Sequence, residues 1–392
     1  MRVLYLTNKP IYPLVDGGCK AMDSFLNCLL ENKWEVTHIC ISTEKHPFSI
    51  ADYPKDLQKK IQIKSIFIST KLSFRKAFSA LLEGESYTIS RFKSAHLAAE
   101  IKQTLANKEF DLAVLESLYS TGNIKELKEQ KDLKILLRSH NVEHKLWEDK
   151  AVKCVNPIKK WYLNLLAKQL KKYEIETLRE VDGIATLSEL DEKEFRKLDI
   201  YPSILTIPVA LPHVQKRSDY TSTTFFFLGS MNWQPNMEAV DLLLETIFPL
   251  IQKEIPAAKL VLAGSFMTQQ LKNHHQKGVE ILGFVADLEH FFNENGILLS
   301  PIQTGSGVRV KLLEAMNRGI PIVSSLKGAE GISLKGQLIV EDNAQEFAQK
   351  AVKLYRNINL REELGSKSYE FAQINYSTTT IANTIREFVN TL

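Results

Sequence analysis

Cysteine is scarce in this chain. Four thiols in 392 residues, Cys19, Cys28, Cys40 and Cys154, stand apart without any CxxC spacing. Neither a disulfide framework nor a cysteine zinc site is favoured, and reduced thiols suit a cytoplasmic protein. Long apolar runs are missing as well: none reaches the roughly 18 to 20 residues a membrane crossing needs. The opening MRVLYLTNKP reads as a buried strand, too short in its apolar part for a secretory signal. Charge of one sign is also small. Lys plus Arg number 50 against 46 Asp plus Glu, and a net charge of +4 does not call for nucleic acid. No low-complexity tract breaks the chain, so disorder is not the default.

What is present is an α/β rhythm. Strand-like runs occur at Arg2 to Thr7, then WEVTHICIS from Trp34, IQIKSIFI from Ile61, FDLAVLES from Phe110, LKILLRSHN from Leu133 and VDGIATLSE from Val181, with helical chain between them. Short, almost wholly apolar strands predict a parallel sheet covered on both faces. The pattern restarts with FFFLGS at Phe225 and continues through AKLVLAG, VEILGF, NGILLSPI, GIPIVSS and GQLIVED. Such a length fits two domains. We expect an N-terminal Rossmann-like acceptor-side domain over 1–210 and a C-terminal Rossmann-like donor domain over 211–392. The linker is expected within Leu205 to Thr224, and the final helix is free to pack back on the first domain. Two such folds facing across a cleft would grip two substrates and exclude water.

The segment PIQTGSGVRVKLLEAMNRGIPIVSS, Pro301 to Ser325, is the richest in chemistry. Gly305 and Gly307, with Ser306 between them, permit a tight turn after a strand. Backbone N–H groups at the helix that follows would face a diphosphate. Arg309 and Lys311 can add charge-assisted bonds to phosphate oxygens and stabilise a departing nucleoside diphosphate. Glu314, about one turn later, suits paired ribose hydroxyls. The bland alternative is a solvated charged helix. A second glycine turn, FLGSMNWQPN, offers Gly229 and Ser230 to the same diphosphate, with helix capping by Ser230 and Asn236 as the rival.

In the first half, Asp16, Gly17 and Gly18 open the first helix and allow close backbone approach to donor phosphate or acceptor sugar. This is not GxGxxG, which disfavours a nicotinamide enzyme. The cluster RSHNVEHKLWE after the LKILL strand supplies Arg138, His140, Asn141, Glu143 and His144. His140 is the candidate beside the reacting carbon, the others contacting acceptor or organising the loop; a structural histidine is the alternative. His140 and His144 are four apart, but Glu143 is not in HExxH order and no third ligand is evident, so no metal is expected. Finally, Ile158 to Glu174 carries five lysines, with Trp161, Leu165 and Leu166 at helical spacing. That offers peripheral contact with an anionic membrane, against an ordinary helix with a lysine-rich outer face.

Read in order, GSGVRVKLLEAMNRGIPIV, FLGSMNWQPNMEAV, VLAGS, VEILGFVADL, KGAEGI, DGG and RSHNVEH resemble the retaining GT-B glycosyltransferases of family 4, or group 1, along nearly the whole chain. The resemblance implies a nucleotide-sugar donor held between two Rossmann-like domains, retained anomeric configuration, and neither cofactor nor obligatory metal. It implies a glycan or lipid-linked acceptor in envelope polysaccharide or lipopolysaccharide synthesis, and no nucleic acid. Glu314 matches the family's ribose-binding glutamate, Gly18 its N-terminal glycine loop and His140 its active-site histidine; Glu330 would organise a loop. Two positions depart: Ser306 stands where the family commonly has another glutamate, and GSMNWQPN where many members place an Arg and a Lys. In this reading Arg309 and Lys311 supply that charge instead. The alternatives are a GT-B nucleotide-sugar epimerase, which would need no acceptor, and a noncatalytic nucleotide-sugar or glycan-binding protein, which would bind donor and transfer nothing.

Overall fold

A computed structural model of the chain describes residues 1–71, 86–305, 307–332 and 334–392. The chain divides into two compact units, one of Met1–Val209 with Ile381–Leu392, the other of Ala210–Thr380. Each is a parallel sheet with helices, the two-Rossmann GT-B architecture expected from the sequence.

Among the described residues, unit 1 holds seven strands: β1 (Arg2–Thr7), β2 (Glu35–Ser42), β3 (Gln62–Phe67), β4 (Leu112–Glu116), β5 (Lys134–Ser139), β6 (Gly183–Thr186) and β7 (Ser203–Thr206). They pair in parallel in the order β3-β2-β1-β4-β5-β6-β7. All five residues of LAVLE in β4 are buried, since helices cover both faces of the sheet and leave no solvent side for polar alternation. Helix Gly17–Glu31 turns Cys19, Met22, Phe25, Leu26 and Leu29 inward, and Asp16 starts it by accepting from the Cys19 amide at 2.8 Å.

Unit 2 holds β8 (Phe225–Leu228), β9 (Leu260–Ala263), β10 (Val279–Gly283), β11 (Ile297–Ser300), β12 (Ile322–Ser324) and β13 (Ile339–Val340), in the order β10-β9-β8-β11-β12-β13. Its core gathers Phe225, Phe227, Leu260, Leu262, Ile297 and Leu299 against Val240, Phe248 and Phe347 from the helices. The helix after β8 begins at Gln234 and passes through a π-turn at Leu243–Ile247 before Phe248–Glu254. Pro249 explains the widening: it has no N–H to continue the regular ladder.

The two units divide at Val209 and Ala210, inside the stretch Leu205 to Thr224 where the linker is expected. Leu205 and Thr206 finish β7, and Ile207, Val209, Ala210 and Leu211 are almost wholly buried.

In an open parallel sheet, ligands settle beyond the carboxyl ends of the strands where the winding reverses. That point lies between β1 and β4 in unit 1 and between β8 and β11 in unit 2. The charged and glycine-rich segments singled out from the sequence follow those strands.

Candidate active site

At the reversal point of unit 1 the sheet carries a buried carboxylate. Glu116 ends β4 with no exposure, and three groups converge on it. Tyr5 of β1 donates its hydroxyl to Oε1 at 2.5 Å, Arg138 of β5 approaches both oxygens at 3.2 and 3.3 Å, and His140 Nε2 lies 2.5 Å from Oε2. Burial alone would raise the Glu116 carboxyl, but the Arg138 guanidinium and the hydrogen bonds from His140 and Tyr5 hold it below its ordinary value. An ionised acceptor fixes the imidazole: Nε2 carries the proton, and in the neutral ring Nδ1 remains as an acceptor. Arg138 also donates to the Ala21 carbonyl at 3.2 Å, and its guanidinium lies 4.6 Å from the centre of the Phe25 ring. Wholly buried, it organises the site from beneath. His140, whose side chain is 15% exposed, is the member that reaches the surface.

Asn141, Glu143 and His144 follow, but the fold divides them from His140. Tyr119 donates to Glu143 Oε2 at 2.9 Å. Glu174, from helix Pro157–Leu178, accepts the amides of Glu143 and His144 at 3.1 and 3.2 Å and the His144 ring at 2.5 Å. A carboxylate from another helix thus caps helix Glu143–Val152, whose own preceding residue, Val142, offers no side-chain cap. Burial pushes the Glu143 carboxyl up to about 7, helped by the charge of Glu174 and opposed by the Tyr119 bond. His140 and His144 therefore each serve a different carboxylate. Asn141 belongs to the turn, its carbonyl accepting from Ser139 Oγ at 2.7 Å.

The glycines Gly17 and Gly18 begin helix Gly17–Glu31. A Cβ at Gly18 would lie 3.3 Å from both Asp16 Oδ1 and Lys9 Nζ, so a side chain there would press on that pair. Those two groups form an ion pair at 2.6 Å at the helix entrance, so Lys9 is a cation beside the glycine pair that sequence reading passed over.

At the reversal point of unit 2 the charge is positive. The loop after β11 turns through Gly305 (φ +87°) and Gly307 (φ +86°), a conformation that favours glycine. At Gly305 a Cβ would also strike Trp233 and Pro235, at 2.8 and 2.9 Å. Ser306 lies outside the described residues. Arg309, 4% exposed, donates to the Gly307 carbonyl at 2.7 Å and to the Thr304 carbonyl at 3.3 Å, with its guanidinium 4.9 Å from the Trp233 ring centre. Lys311 donates to Asn236 Oδ1 at 3.0 Å and holds its ammonium 3.7 Å from the centre of the Phe227 ring. Burial pushes the Arg309 guanidinium down to about 10, against the nearby charge of Glu330. Burial, and then the like charge of Arg309, hold the Lys311 ammonium well below its ordinary value. Two neighbouring cations in poor solvation can be relieved by an anion.

The second glycine turn is narrower in scope than its sequence suggests. The Gly229 amide is engaged by the Ala263 carbonyl at 3.0 Å, and the Ser230 hydroxyl meets Asn232 Oδ1 and Ser265 Oγ, each at 2.9 Å. Gly229 instead makes room for Asn236, whose Nδ2 would lie 2.7 Å from a Cβ there. Asn236 is no cap either: its Nδ2 donates to the Ser230 carbonyl at 2.8 Å while its Oδ1 receives Lys311. Trp233, Asn236 and Phe227 therefore form the floor under the two cations. Glu314 sits within helix Val310–Met316, half-buried, and its carbonyl accepts from Arg318 at 3.1 Å.

Sequence reading missed Glu116 and Tyr5. The signal for Glu116 was a carboxylate closing an otherwise apolar strand, which a solvated strand end equally explains.

Known proteins agree with this architecture. Residues 222–357 match the family model described as glycosyl transferases group 1. A Klebsiella pneumoniae protein, described as an uncharacterized 44.6 kDa protein in the cps region, is 26% identical over 342 residues, 82% of this chain and 84% of that protein. Among solved structures, TarM aligns over 100% of this chain and 99% of its own at 12% identity with a TM-score of 0.71. Sucrose-phosphate synthase of Thermosynechococcus elongatus gives the same score and coverage at 14% identity. Anabaena HepE with UDP and glucose reaches 0.67 at 14% identity over the full length of both chains. At such identities the structural likeness speaks for the fold. With the group 1 domain in unit 2, it makes this chain a glycosyltransferase.

Proposed function

Starting from a glycosyltransferase with a charged cluster at the reversal point of each sheet, we propose that it transfers a sugar from a nucleotide-sugar, with retained anomeric configuration, to a glycan or lipid-linked acceptor in envelope polysaccharide synthesis. One observation carries the reading: Arg309 and Lys311 sit side by side in poor solvation at the reversal point of the second sheet. A diphosphate would compensate both charges, and they would hold the negative charge that develops as it leaves. In this role the two side chains do what a divalent metal does elsewhere, so no metal is required. Glu314 takes the ribose hydroxyls, and the glycines at 305 and 307 let phosphate oxygens approach the backbone.

The reaction runs on the face from which the diphosphate departs. The bond from the anomeric carbon to the phosphate oxygen breaks as the acceptor oxygen bonds to that carbon, and the acceptor proton passes to the leaving diphosphate. His140, its tautomer held by Glu116, orients the sugar or the incoming hydroxyl through Nδ1. The cps-region relative favours polysaccharide as the product class. The TarM and HepE structures that hold UDP make UDP-sugars the donors to try first.

The test is the Arg309→Ala/Lys311→Ala double variant. Turnover should fall by about 100-fold or more, with the far-UV circular dichroism preserved. A folded double variant with normal turnover removes the assigned role. Product analysis without acceptor separates the alternatives, since an epimerase would interconvert free nucleotide-sugars and a binding protein would leave them unchanged.

A further inference from the structure

Helices Glu143–Val152 and Pro157–Leu178 meet at a short turn, and the apolar side chains around it point outward. Val152 is 72% exposed, Val155 96%, Ile158 79%, Trp161 65% and Tyr162 41%. Single exposed apolar residues are ordinary, but five between 152 and 162 form a patch. The charge around it is mostly of one sign: Lys150 to Tyr173 contains seven lysines and no Asp or Glu, with Glu148 and Asp149 just before that stretch. Lys145 and Lys172, farther from the turn, pair with Glu194 and Glu176. Lys153, Lys159 and Lys160, beside the apolar tip, are exposed and pair with no carboxylate among the described residues.

The rest of the long helix is anchored. Leu166, Ala167 and Leu170 are buried, so the apolar stripe expected along Trp161, Leu165 and Leu166 is divided, its first part in solvent and Leu166 in the core. Asn156 caps the helix by accepting from the Lys159 amide at 3.0 Å, and Pro157 occupies its first position. The outward residues therefore sit on a braced helical corner.

We infer that this corner is a docking surface for an anionic lipid bilayer, beyond the transfer reaction proposed above. Valine and isoleucine would enter the boundary of the acyl region, Trp161 and Tyr162 would lie at headgroup depth, and the lysines would reach the phosphates. The lysine excess from Lys150 through the start of the long helix favours an anionic lipid surface over a mixed-charge protein partner. No helix among the described residues is long and apolar enough to cross a membrane, and this surface would hold the enzyme at the bilayer without one.

Vesicle flotation with the whole chain, without substrate, tests this apart from catalysis. Wild type should float with vesicles of phosphatidylcholine and phosphatidylglycerol in equal parts and stay behind with phosphatidylcholine alone. Each lysine at an anionic surface strengthens binding by about fivefold, so Lys153→Glu/Lys159→Glu/Lys160→Glu should weaken flotation by at least about tenfold. Val155→Ser/Ile158→Ser/Trp161→Ser should do likewise. Both variants should melt as wild type does and keep their turnover with a water-soluble acceptor. The single Trp161→Phe variant should still float but lose the vesicle-induced blue shift of tryptophan emission. The inference is overturned by a wild type that does not float, by variants that float equally, or by a blue shift that survives Trp161→Phe. It also falls if wild type fails to float and runs as a dimer that the serine variant dissociates, which would make the patch an interface between copies.

Discussion

At the residue scale the centre of unit 1 is Glu116, and its isolation from water sets what its loss would do. Removing one partner of a buried ion pair leaves the other charge uncompensated, at a cost of about 3 to 5 kcal/mol. Glu116→Gln would strand Arg138, which has no exposure, and release the His140 ring from its fixed tautomer. We expect a stability loss of that order in urea unfolding, together with a fall in kcat. His140→Ala should lower kcat to a similar degree with little change in the unfolding midpoint. Equal stability losses in the two variants would contradict the division of labour between the buried carboxylate and the ring that reaches the surface. The sequence made His140 legible because a polar cluster followed an apolar strand. Glu116 was hidden: its partners lie on β1 and β5, and nothing local marks a carboxylate whose meaning comes from Tyr5 and Arg138.

At the element scale, every strand but β7 could be read directly, because buried parallel strands are short apolar runs, and the opening of the first helix was legible because caps are local chemistry. Asp16 before Gly17–Glu31 is such a cap. The cap of Glu143–Val152 was not readable, since Glu174 comes from a different helix. The bond made by the Gly229 amide was hidden for the same reason: its carbonyl partner, Ala263, lies on β9. The Glu143–Glu174 junction predicts a pH dependence. Glu143 has a folded value of about 7 against an ordinary 4.5, so the folded state prefers the neutral carboxyl. Between those values the unfolded chain has released the proton and the folded one retains it, so stability falls as pH rises from about 4.5 to 7 and then levels. Glu143→Gln should remove that contribution, leaving the variant more stable than wild type at pH near 8 and closer to it near pH 5. Urea unfolding at the two pH values checks this, and an unchanged slope between them would refute the assignment.

At the scale of the whole molecule, the two-unit plan followed from length and from a strand pattern that begins again at Phe225. What could not be read was which unit would own the last residues, because helical periodicity reveals an apolar face but not its partner. Ile381–Leu392 belong to unit 1. The Ala382 carbonyl accepts from Asn32 Nδ2 at 2.7 Å, and the Leu392 methyls crowd Gly183, where a Cβ would lie 2.8 Å away. Deleting residues 381–392 should therefore lower the unfolding transition of unit 1 and leave nucleotide binding by unit 2 intact. Calorimetry with and without UDP distinguishes the two transitions, since ligand raises only the one it binds. Loss of the nucleotide-responsive transition would overturn the assignment.

That closing stretch also sets an order of events during synthesis. The ribosome has made every strand of the first sheet long before it reaches Ile381, yet the surface that receives Ala382 and Leu392 stays open until all of the second sheet has emerged. The half that begins first is thus completed last, and chaperones or proteases that survey nascent chains would meet its uncovered side throughout the interval.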